Sequence, residues 1–578
     1  MATEKATPPV AAPPRPATLG DVKVPMRDGV HLATDIWLPL KTPAPVLLVR
    51  IPYNKSAIPE MPMVPTKAQI ADAGYGLIWQ DVRARYQSGG ENFEPFVAEA
   101  QDGEDTIAWI REQEWSDGRV GMFGPSYMGC VQWLAASRAP KGLLAIAPHV
   151  ASSDVYRAPW YSQGGAMSWH TVHSWSMANA KTDPNIPIVV MLQQQQEAVQ
   201  LLNKLPMSDR ETLHRHAAWW KNWMSHTSRD ESWRDLAVAE HPEVINTPAL
   251  NVGGWFDLFV HETVRAFRLM RSSARTETAR RGQYLFIGPW DHYARTGKYP
   301  DLEFGPDSPD TASGIQELHL EFFDKYLRGN EAALDKRLPV HIFVMGRNVW
   351  RSETDWPLPD TEYTDFYLDS GGNAATRSGD GVLRAELPNK SIADRYTFDP
   401  ADPTPSVGGR LLTMDPRECG PRDQSAVEDR PDVLCFTTQP LDTPVEVTGH
   451  ISLVLYITSS AIDTDFTGKL VDVHPDGRAT YLTDGVLRAR YRNSLATPEM
   501  LVPGKVYKLR LDLSVTSNVF LAGHRIRLEV SSSNYPRYDR NSNTGGDIVN
   551  ETEFTVAENR VLHGAEHPSK LVLPVIRR

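Results

Sequence analysis

The chain has 578 residues, too many for one domain, and the length predicts two to four. Its residues are 41% hydrophobic and 23% charged, as in a globular protein, and no apolar run reaches the roughly 18 residues of a membrane span. A net charge of −12 without a basic cluster argues against nucleic acid as a partner, and three cysteines are too few for a disulfide framework and favour a reducing, cytoplasmic setting.

The N-terminal part of the chain begins with a leader and continues into an α/β pattern. Residues 1–20 are rich in Pro and Ala, lack an apolar segment and are predicted to be a disordered leader, not a signal peptide. After a hairpin turning at Asp28-Gly29, short apolar strands alternate with helical patterns through residues 21–150. Continuous apolar strands between helices predict a parallel sheet covered on both faces, and the pattern resumes at 246–352.

Two further segments differ from this pattern. Residues 151–245 show helical spacing without strands and hold seven of the sixteen tryptophans, which predicts a helical cap inserted into the sheet domain. Residues 353–578 show strands with period-2 alternation and intervening turns. That pattern predicts a C-terminal β-sandwich of the jelly-roll type.

The stretch GMFGPSYMGC places Ser126 between Gly124 and Gly129. One interpretation is a glycine-containing turn with a serine at its tip. The other is a nucleophile elbow, a sharp strand-to-helix turn that needs small residues because strand and helix approach closely. The apolar segment before Ser126 and the helical pattern after it favour the elbow, with Ser126 as the nucleophile.

A serine nucleophile needs a histidine base and an orienting carboxylate. In this fold both follow the carboxyl ends of later strands, and Asp257 after PALNVGGWFD and His292 after QYLFIGPW occupy such positions. The rival candidates are better explained as surface, cap-facing or turn residues; they are His149, His261 and Asp291. Two histidine pairs resemble metal ligands but lack an acidic or thiol partner at matching spacing, so no metal and no cofactor are expected; they are His170 with His173 and His214 with His216.

An oxyanion hole needs two donors. The backbone N–H of Tyr127, directly after the nucleophile, is the expected first donor. The second normally comes from the loop after an early strand, where RIPYNK offers the phenolic hydroxyl of Tyr53. Spacing alone leaves open whether Tyr53 is a donor or an ordinary buried tyrosine.

Four of these motifs together resemble the CocE/NonD hydrolases of the X-Pro dipeptidyl peptidase superfamily: RIPYNK, GPSYMG, GWFD and GPWDH. The resemblance extends through segments such as SNVFLAGHRI and covers the chain from about residue 20 to its end. It implies an α/β-hydrolase domain, an inserted cap and a jelly roll. It also implies a Ser126–His292–Asp257 triad with an oxyanion hole formed by Tyr53 and Tyr127.

The same resemblance implies an acyl pocket for an aromatic ring, lined by Trp160, Trp175, Phe259 and Leu412. The alternative is that the cap tryptophans are core residues. Thr413 departs from the family pattern, since a relative has an aromatic residue at this position. A pocket that differs in shape or polarity from that of the relative is therefore an alternative.

The residue types that follow the triad aspartate in the sequence indicate the substrate class. Relatives that hydrolyse α-amino acid esters place two acidic residues there for the substrate ammonium, whereas this chain has Phe259 and Val260. An apolar pocket favours a carboxylesterase acting on small-molecule esters with an apolar, aromatic acyl group through an acyl-enzyme. An amidase, an acylase or an X-Pro dipeptidyl peptidase using the same triad is the alternative, and a non-catalytic jelly-roll binding protein is a remote one. Whether the chain forms a homo-oligomer stays open.

Overall fold

The structure is a computed structural model that describes residues 17–180, 189–190 and 198–578. It contains a ten-stranded mixed sheet covered by helices, a helical segment inserted between two neighbouring strands, and a C-terminal all-β domain. This architecture confirms the predicted fold class. No helix among the described residues is long and apolar enough to cross a membrane.

The first sheet has the strand order β1-β2-β4-β3-β5-β6-β7-β8-β11-β12. The central strands pair in parallel, in the order β4-β3-β5-β6-β7-β8-β11. At one edge β1 and β2 pair antiparallel, as β2 does with β4, and at the other edge β12 pairs antiparallel with β11. The strands β3 and β4 are buried along their whole length because helices cover both faces. The strand bounds are β1 Thr18–Pro25, β2 His31–Trp37, β3 Ala44–Ile51, β4 Gly76–Asp81, β5 Ser116–Pro125, β6 Leu143–His149, β7 Ala249–Gly254, β8 Gln283–Gly288, β11 Val340–Val344 and β12 Val349–Glu353, with a separate pair β9 Lys298–Tyr299 and β10 Leu302–Glu303.

Helices cover the two faces of this sheet with separate apolar cores. Side chains of α2 and α3 pack on one face, and those of α1 and α9 pack on the other. The helix bounds are α1 Lys67–Asp72, α2 Glu99–Arg111, α3 Tyr127–Ser137, α4 Trp169–Asn179, α5 Glu211–His216, α6 Trp219–Ser225, α7 Val260–Ser273, α8 Glu277–Arg281, α9 Ile315–Arg328 and α10 Ser425–Glu428.

The cap lies between β6 and β7, which are direct neighbours in the sheet. Its described part consists of α4, α5, α6, a π-helical turn at Tyr156–Trp160 and short 3₁₀ turns. The cap tryptophans pack against each other, for example Trp160 against Trp223 with ring centroids 4.3 Å apart. Aromatic packing therefore supplies the core of a segment whose described residues include no strand.

The predicted disordered leader, residues 1–20, wrongly includes the first residues of β1. Residues 1–16 lie outside the described residues, but Thr18 already begins β1 and pairs with Trp37 of β2. Backbone pairing with the sheet edge, which composition does not reveal, orders Thr18–Gly20.

The all-β domain contains β13 to β23 in one sheet system, with β17 at its centre pairing with β20, β22 and β23. Its core continues into the sheet domain, because Trp255 and Phe256 pack in the same apolar cluster. Arg410 reinforces this junction by donating to the Trp255 carbonyl at 3.2 Å. The strand bounds are β13 Thr361–Asp369, β14 Val382–Arg384, β15 Ile392–Phe398, β16 Leu434–Thr437, β17 Val445–Ser459, β18 Asp465–Val473, β19 Ala479–Arg488, β20 Tyr507–Phe520, β21 Arg525–Ser531, β22 Ala557–His563 and β23 Lys570–Ile576.

Candidate active site

Ser126 lies on the turn between β5 and α3, at the carboxyl edge of the sheet. Its backbone has φ 60° and ψ −129°, a region that non-glycine residues rarely adopt, and its N–H donates to the His149 carbonyl at 2.9 Å. Gly124 has φ +128°, and a Cβ at Gly129 would lie 2.4 Å from the Cβ of Ala151. The two glycines are thus needed for a positive φ and for close packing, as a nucleophile elbow requires.

Gly129→Ala tests this packing requirement. The added methyl group meets Ala151 and the backbone of Gly124 and His149, none of which is a flexible chain end. We expect a loss of stability of about 1–3 kcal/mol and a lower kcat, measured as the urea midpoint and the rate of ester hydrolysis. Gly20→Ala is the control, since a Cβ there has ordinary contacts only. Equal stability of the two variants would contradict the close approach of α3 to the sheet.

Three side chains form a hydrogen-bonded chain that starts at Ser126. Its Oγ lies 3.1 Å from Nε2 of His292, and Nδ1 of His292 lies 2.7 Å from Oδ2 of Asp257. The other oxygen of Asp257 accepts the backbone N–H of Phe259 at 2.8 Å. Because the carboxylate accepts from Nδ1, Nε2 is left as the acceptor for the serine hydroxyl, which is the tautomer a general base needs.

The rival histidines and acid have other partners. His149 is buried behind the elbow, where burial lowers its pKa well below the usual range, and His261 bonds to Asp512 at 2.9 Å. Asp291 accepts the backbone N–H groups of Tyr293 and Ala294, as a turn residue does.

Neither histidine pair belongs to a cluster of three or more metal-ligating side chains among the described residues, and His214 has a single acidic neighbour, Asp209, at 3.9 Å. His170 and His173 are buried in α4, burial lowers their pKa values to about 4 and about 3, and Nε2 of His173 accepts from Arg210 at 2.9 Å. His214 and His216 lie on α5.

Tyr53, on the loop after β3, points its hydroxyl toward Ser126. That hydroxyl accepts the indole N–H of Trp175 at 3.0 Å, and it hydrogen-bonds the side chain of Ser126. Burial raises the pKa of Tyr53 to about 12, so the hydroxyl stays protonated at neutral pH. Because Trp175 donates to the hydroxyl oxygen, the phenol keeps its own proton as a donor on the Ser126 side, where the reacting oxygen of a substrate would lie.

Tyr127 has two separate roles in the site: its backbone N–H is the candidate oxyanion donor, and its side chain anchors the start of α3. Its N–H is the first of α3, and the first N–H groups of a helix have no intrahelical acceptor. Its buried hydroxyl donates to Glu99 at 2.8 Å, and Glu99 pairs with Arg50 at 2.7 Å. This chain of contacts fixes the start of α3, and with it the direction of the N–H beside Ser126.

A cavity of about 250 Å³ opens beside Ser126 and His292. Its walls are mainly apolar, and Asn179, Tyr293 and Arg295 are polar residues of the lining. The apolar lining comes from the loop after β3, the elbow and the end of α4; these residues are Ile58, Pro59, Met61, Met63, Pro125, Met128, Trp175 and Ala178. The sequence analysis missed the loop residues, although their run of Pro and Met in a connecting loop is a signal for an apolar surface.

Of the four residues predicted for the acyl pocket, Trp175 alone lines this cavity. Trp160 is buried behind it, with ring centroids 6.0 Å apart, and Phe259 is buried against His292 at 5.7 Å. Leu412 is buried in the all-β domain. The roles of Trp160, Phe259 and Leu412 in substrate binding stay predictions.

Comparison with known proteins places this geometry in a family. Residues 28–294 match X-Pro dipeptidyl-peptidase (S15 family), and residues 332–572 match the X-Pro dipeptidyl-peptidase C-terminal non-catalytic domain. The chain is 44% identical to cocaine esterase of Rhodococcus sp. (strain MB1 Bresler) over 573 residues, which is 96% of this chain and 98% of that protein. The chain belongs to the CocE/NonD hydrolases of the S15 family. It is a serine hydrolase.

Two solved structures resemble this S15-family chain over nearly its full length. An α-amino acid ester hydrolase is 26% identical with a TM-score of 0.79, covering 98% of each chain. An aminopeptidase from the marine sediment archaeon Thaumarchaeota archaeon is 25% identical with a TM-score of 0.80, covering 99% of each chain. Similar structures thus include an ester hydrolase and an aminopeptidase, so the site itself must indicate which class of substrate this chain takes.

Proposed function

We propose that this chain is a carboxylesterase that hydrolyses small-molecule esters with an apolar, aromatic acyl group, in the manner of the cocaine esterase it resembles. One observation carries the proposal: the Ser126–His292–Asp257 chain opens into a mainly apolar cavity. Apolar walls remove the acyl group from water.

The reaction follows from the hydrogen bonds. Oγ of Ser126 attacks the ester carbonyl carbon while its proton passes to Nε2 of His292, and Asp257 stabilises the resulting imidazolium. The Tyr53 hydroxyl and the Tyr127 N–H donate to the carbonyl oxygen as it becomes negative. Nε2 then protonates the leaving alkoxide, and a water molecule, deprotonated by His292, hydrolyses the acyl-enzyme.

Amino-terminal recognition, which a dipeptidyl peptidase or an α-amino ester hydrolase needs, has little support in this cavity. The described lining contains no carboxylate to pair with a substrate ammonium, and its charged group is the cation Arg295. Phe259 and Val260, directly beyond the triad aspartate, are buried and apolar. A buried ammonium without an anion is costly, so uncharged acyl groups are favoured.

The test compares three substrate classes under one set of conditions: aryl esters of aromatic acids, α-amino acid esters and X-Pro amides. We expect kcat/KM to be highest for the aromatic acyl esters, and a fluorophosphonate probe to label wild type but not Ser126→Ala. Preference for the amino ester or the X-Pro amide would overturn the substrate assignment. Labelling of Ser126→Ala would overturn the nucleophile.

Tyr53→Phe tests the oxyanion donor. The variant keeps the ring but removes a hydrogen bond that forms fully only in the transition state, so kcat should fall by roughly 10²–10³ with little change in KM. Tyr161→Phe is the control, because that buried hydroxyl makes no hydrogen bond in the described part of the chain. A kcat within about threefold of wild type, with a large loss of stability instead, would make Tyr53 a structural residue.

A further inference from the structure

A second cleft, separate from the substrate cavity, lies between α7 and the all-β domain. Its volume is about 610 Å³, and it is lined by residues of α7, by Trp356 and by His450, Asp512 and Val515 of the central strands β17 and β20. The proposed ester hydrolysis uses none of these groups. Polar groups dominate the cleft, so water or an ion fits it better than an apolar ligand.

Three side chains from three distant parts of the sequence converge on one wall of this cleft. Nε2 of His261 lies 2.9 Å from Oδ2 of Asp512, and Nε2 of His450 lies 2.9 Å from Oδ1 of the same carboxylate. The ligand atoms of the three lie within 4.8 Å of one another, and the side chains are 12%, 32% and 30% exposed. Two imidazoles and a carboxylate at this spacing are the donor set of many zinc sites.

Glu262 supplies a second, independent feature of a metal site. Its Oε1 lies 3.1 Å from Nδ1 of His261, and the carboxylate is buried and held by Arg265 at 3.0 Å. Metal-binding histidines commonly donate their other ring N–H to such a carboxylate, which fixes the ring and directs Nε2 at the ion. His261 is therefore oriented by a group that does not itself need to contact the ion.

We propose that His261, His450 and Asp512 bind one Zn²⁺ ion, with the fourth position open to water in the cleft. Nε2 of His261 and Nε2 of His450 both face the Asp512 carboxylate, and the ion would lie between these atoms in place of the protons that bridge them.

Three of the four arginines that line the same cleft face carboxylates of their own, which lowers their repulsion of the ion; Arg268 is the fourth. Arg271 pairs with Asp355 at 2.9 Å, and Arg157 and Arg265 pair with the buried Asp154 at 3.4 and 3.5 Å. Asp512 faces His261 and His450 with its two oxygens, and its Oδ1 also accepts the backbone N–H of Ser514 at 2.7 Å.

A comparable group within the all-β domain provides the contrast. Asp472, His474 and His524 are also close together, but Nδ1 of His474 accepts from Arg478 at 3.1 Å and its Nε2 faces the Thr480 hydroxyl at 2.9 Å. An arginine donates only, so Nδ1 is occupied and Nε2 carries the proton. Both ring nitrogens of His474 thus face Arg478 and Thr480 and not the carboxylate of their own group, so this second group serves as the matched control.

The proposed ion joins two domains. His261 lies on the first turn of α7, four residues after Asp257, whereas His450 and Asp512 belong to the all-β domain. Zinc that binds the folded state and not the unfolded chain raises the unfolding temperature. We infer a role in holding the loop of the triad aspartate against the all-β domain, not a role in the chemical step.

The experiment uses full-length protein without a histidine tag, treated with EDTA and dialysed, and titrated with ZnCl₂ by calorimetry. We expect one ion per chain and a zinc-dependent rise in Tm. His450→Gln should abolish both, Glu262→Gln should weaken binding by about 10–100-fold, and His524→Gln should bind like wild type. Circular dichroism without metal shows that each variant is folded, and a misfolded His450→Gln is replaced by Asp512→Asn.

Three outcomes overturn the proposal. They are no zinc binding by folded wild type, zinc binding that survives His450→Gln and Asp512→Asn, and binding that His524→Gln removes. Cobalt gives a second readout, since Co²⁺ held by nitrogen and oxygen ligands in a tetrahedral site absorbs visible light. That absorption should appear in wild type and be absent in His450→Gln.

Discussion

Ser126→Ala should lower kcat by at least about 10³-fold, with the residual rate coming from the oxyanion donors and substrate binding alone. The serine oxygen forms the covalent bond to the acyl group, and no other hydroxyl is within hydrogen-bonding distance of His292 in the described part of the chain. Alanine removes one atom and leaves the strained elbow backbone in place, so the urea midpoint should stay close to that of wild type.

The measurement is single-turnover hydrolysis of an aryl ester, followed by mass spectrometry of the protein for an acyl adduct. Ser153→Ala is the matched control, because Ser153 is buried and its hydroxyl makes no hydrogen bond to the described residues. An acyl adduct on the Ser126→Ala protein would place the nucleophile elsewhere and would remove the triad from the proposal.

The elbow and the triad order could be predicted because each depends on local sequence. Ser126 has its glycines within three residues, and Asp257 and His292 each follow a strand that is recognisable by its apolar run. Parallel strands bring their carboxyl ends to one edge of the sheet, so the positions along the chain imply proximity in space. The chain of hydrogen bonds at 3.1 and 2.7 Å is the geometry this reasoning expects.

The cavity wall could not be predicted in the same way. Ile58 and Met61 line it from an irregular loop, whose path depends on tertiary contacts and not on periodicity. Trp160 and Trp175 look equivalent in the sequence, yet in the structure one is buried behind the other. The packing of the cap tryptophans therefore decides which of their rings lines the cavity.

The His261–His450–Asp512 cluster shows the same limit more clearly. No spacing rule links residues from α7, β17 and β20. Taken by itself in the sequence, His261 is best explained as a surface histidine. The absence of a metal motif in the sequence therefore excludes only sites made from neighbouring residues.

Asp257→Asn should lower kcat by roughly 10⁴-fold while leaving the fold intact. An amide N–H₂ facing Nδ1 of His292 donates where the carboxylate accepted, so the ring proton moves to Nε2 and the serine loses its base. The carboxylate is buried and its other oxygen accepts the Phe259 N–H at 2.8 Å, a contact that the amide oxygen of Asn preserves. The loss should therefore appear in kcat, not in stability.

Asp291→Asn is the comparison that decides which acid orients the histidine. Asp291 is the rival acid because it lies next to His292 in the chain, and burial raises its pKa to about 6. Its Oδ1 accepts the N–H groups of Tyr293 and Ala294, whereas Nδ1 of His292 faces Asp257. We expect Asp291→Asn to keep most of the activity, because the Asn side-chain oxygen still accepts at the turn. If Asp291→Asn lost more activity than Asp257→Asn in the same hydrolysis assay, the orienting acid would be Asp291, and the short 2.7 Å contact would be a structural ion pair.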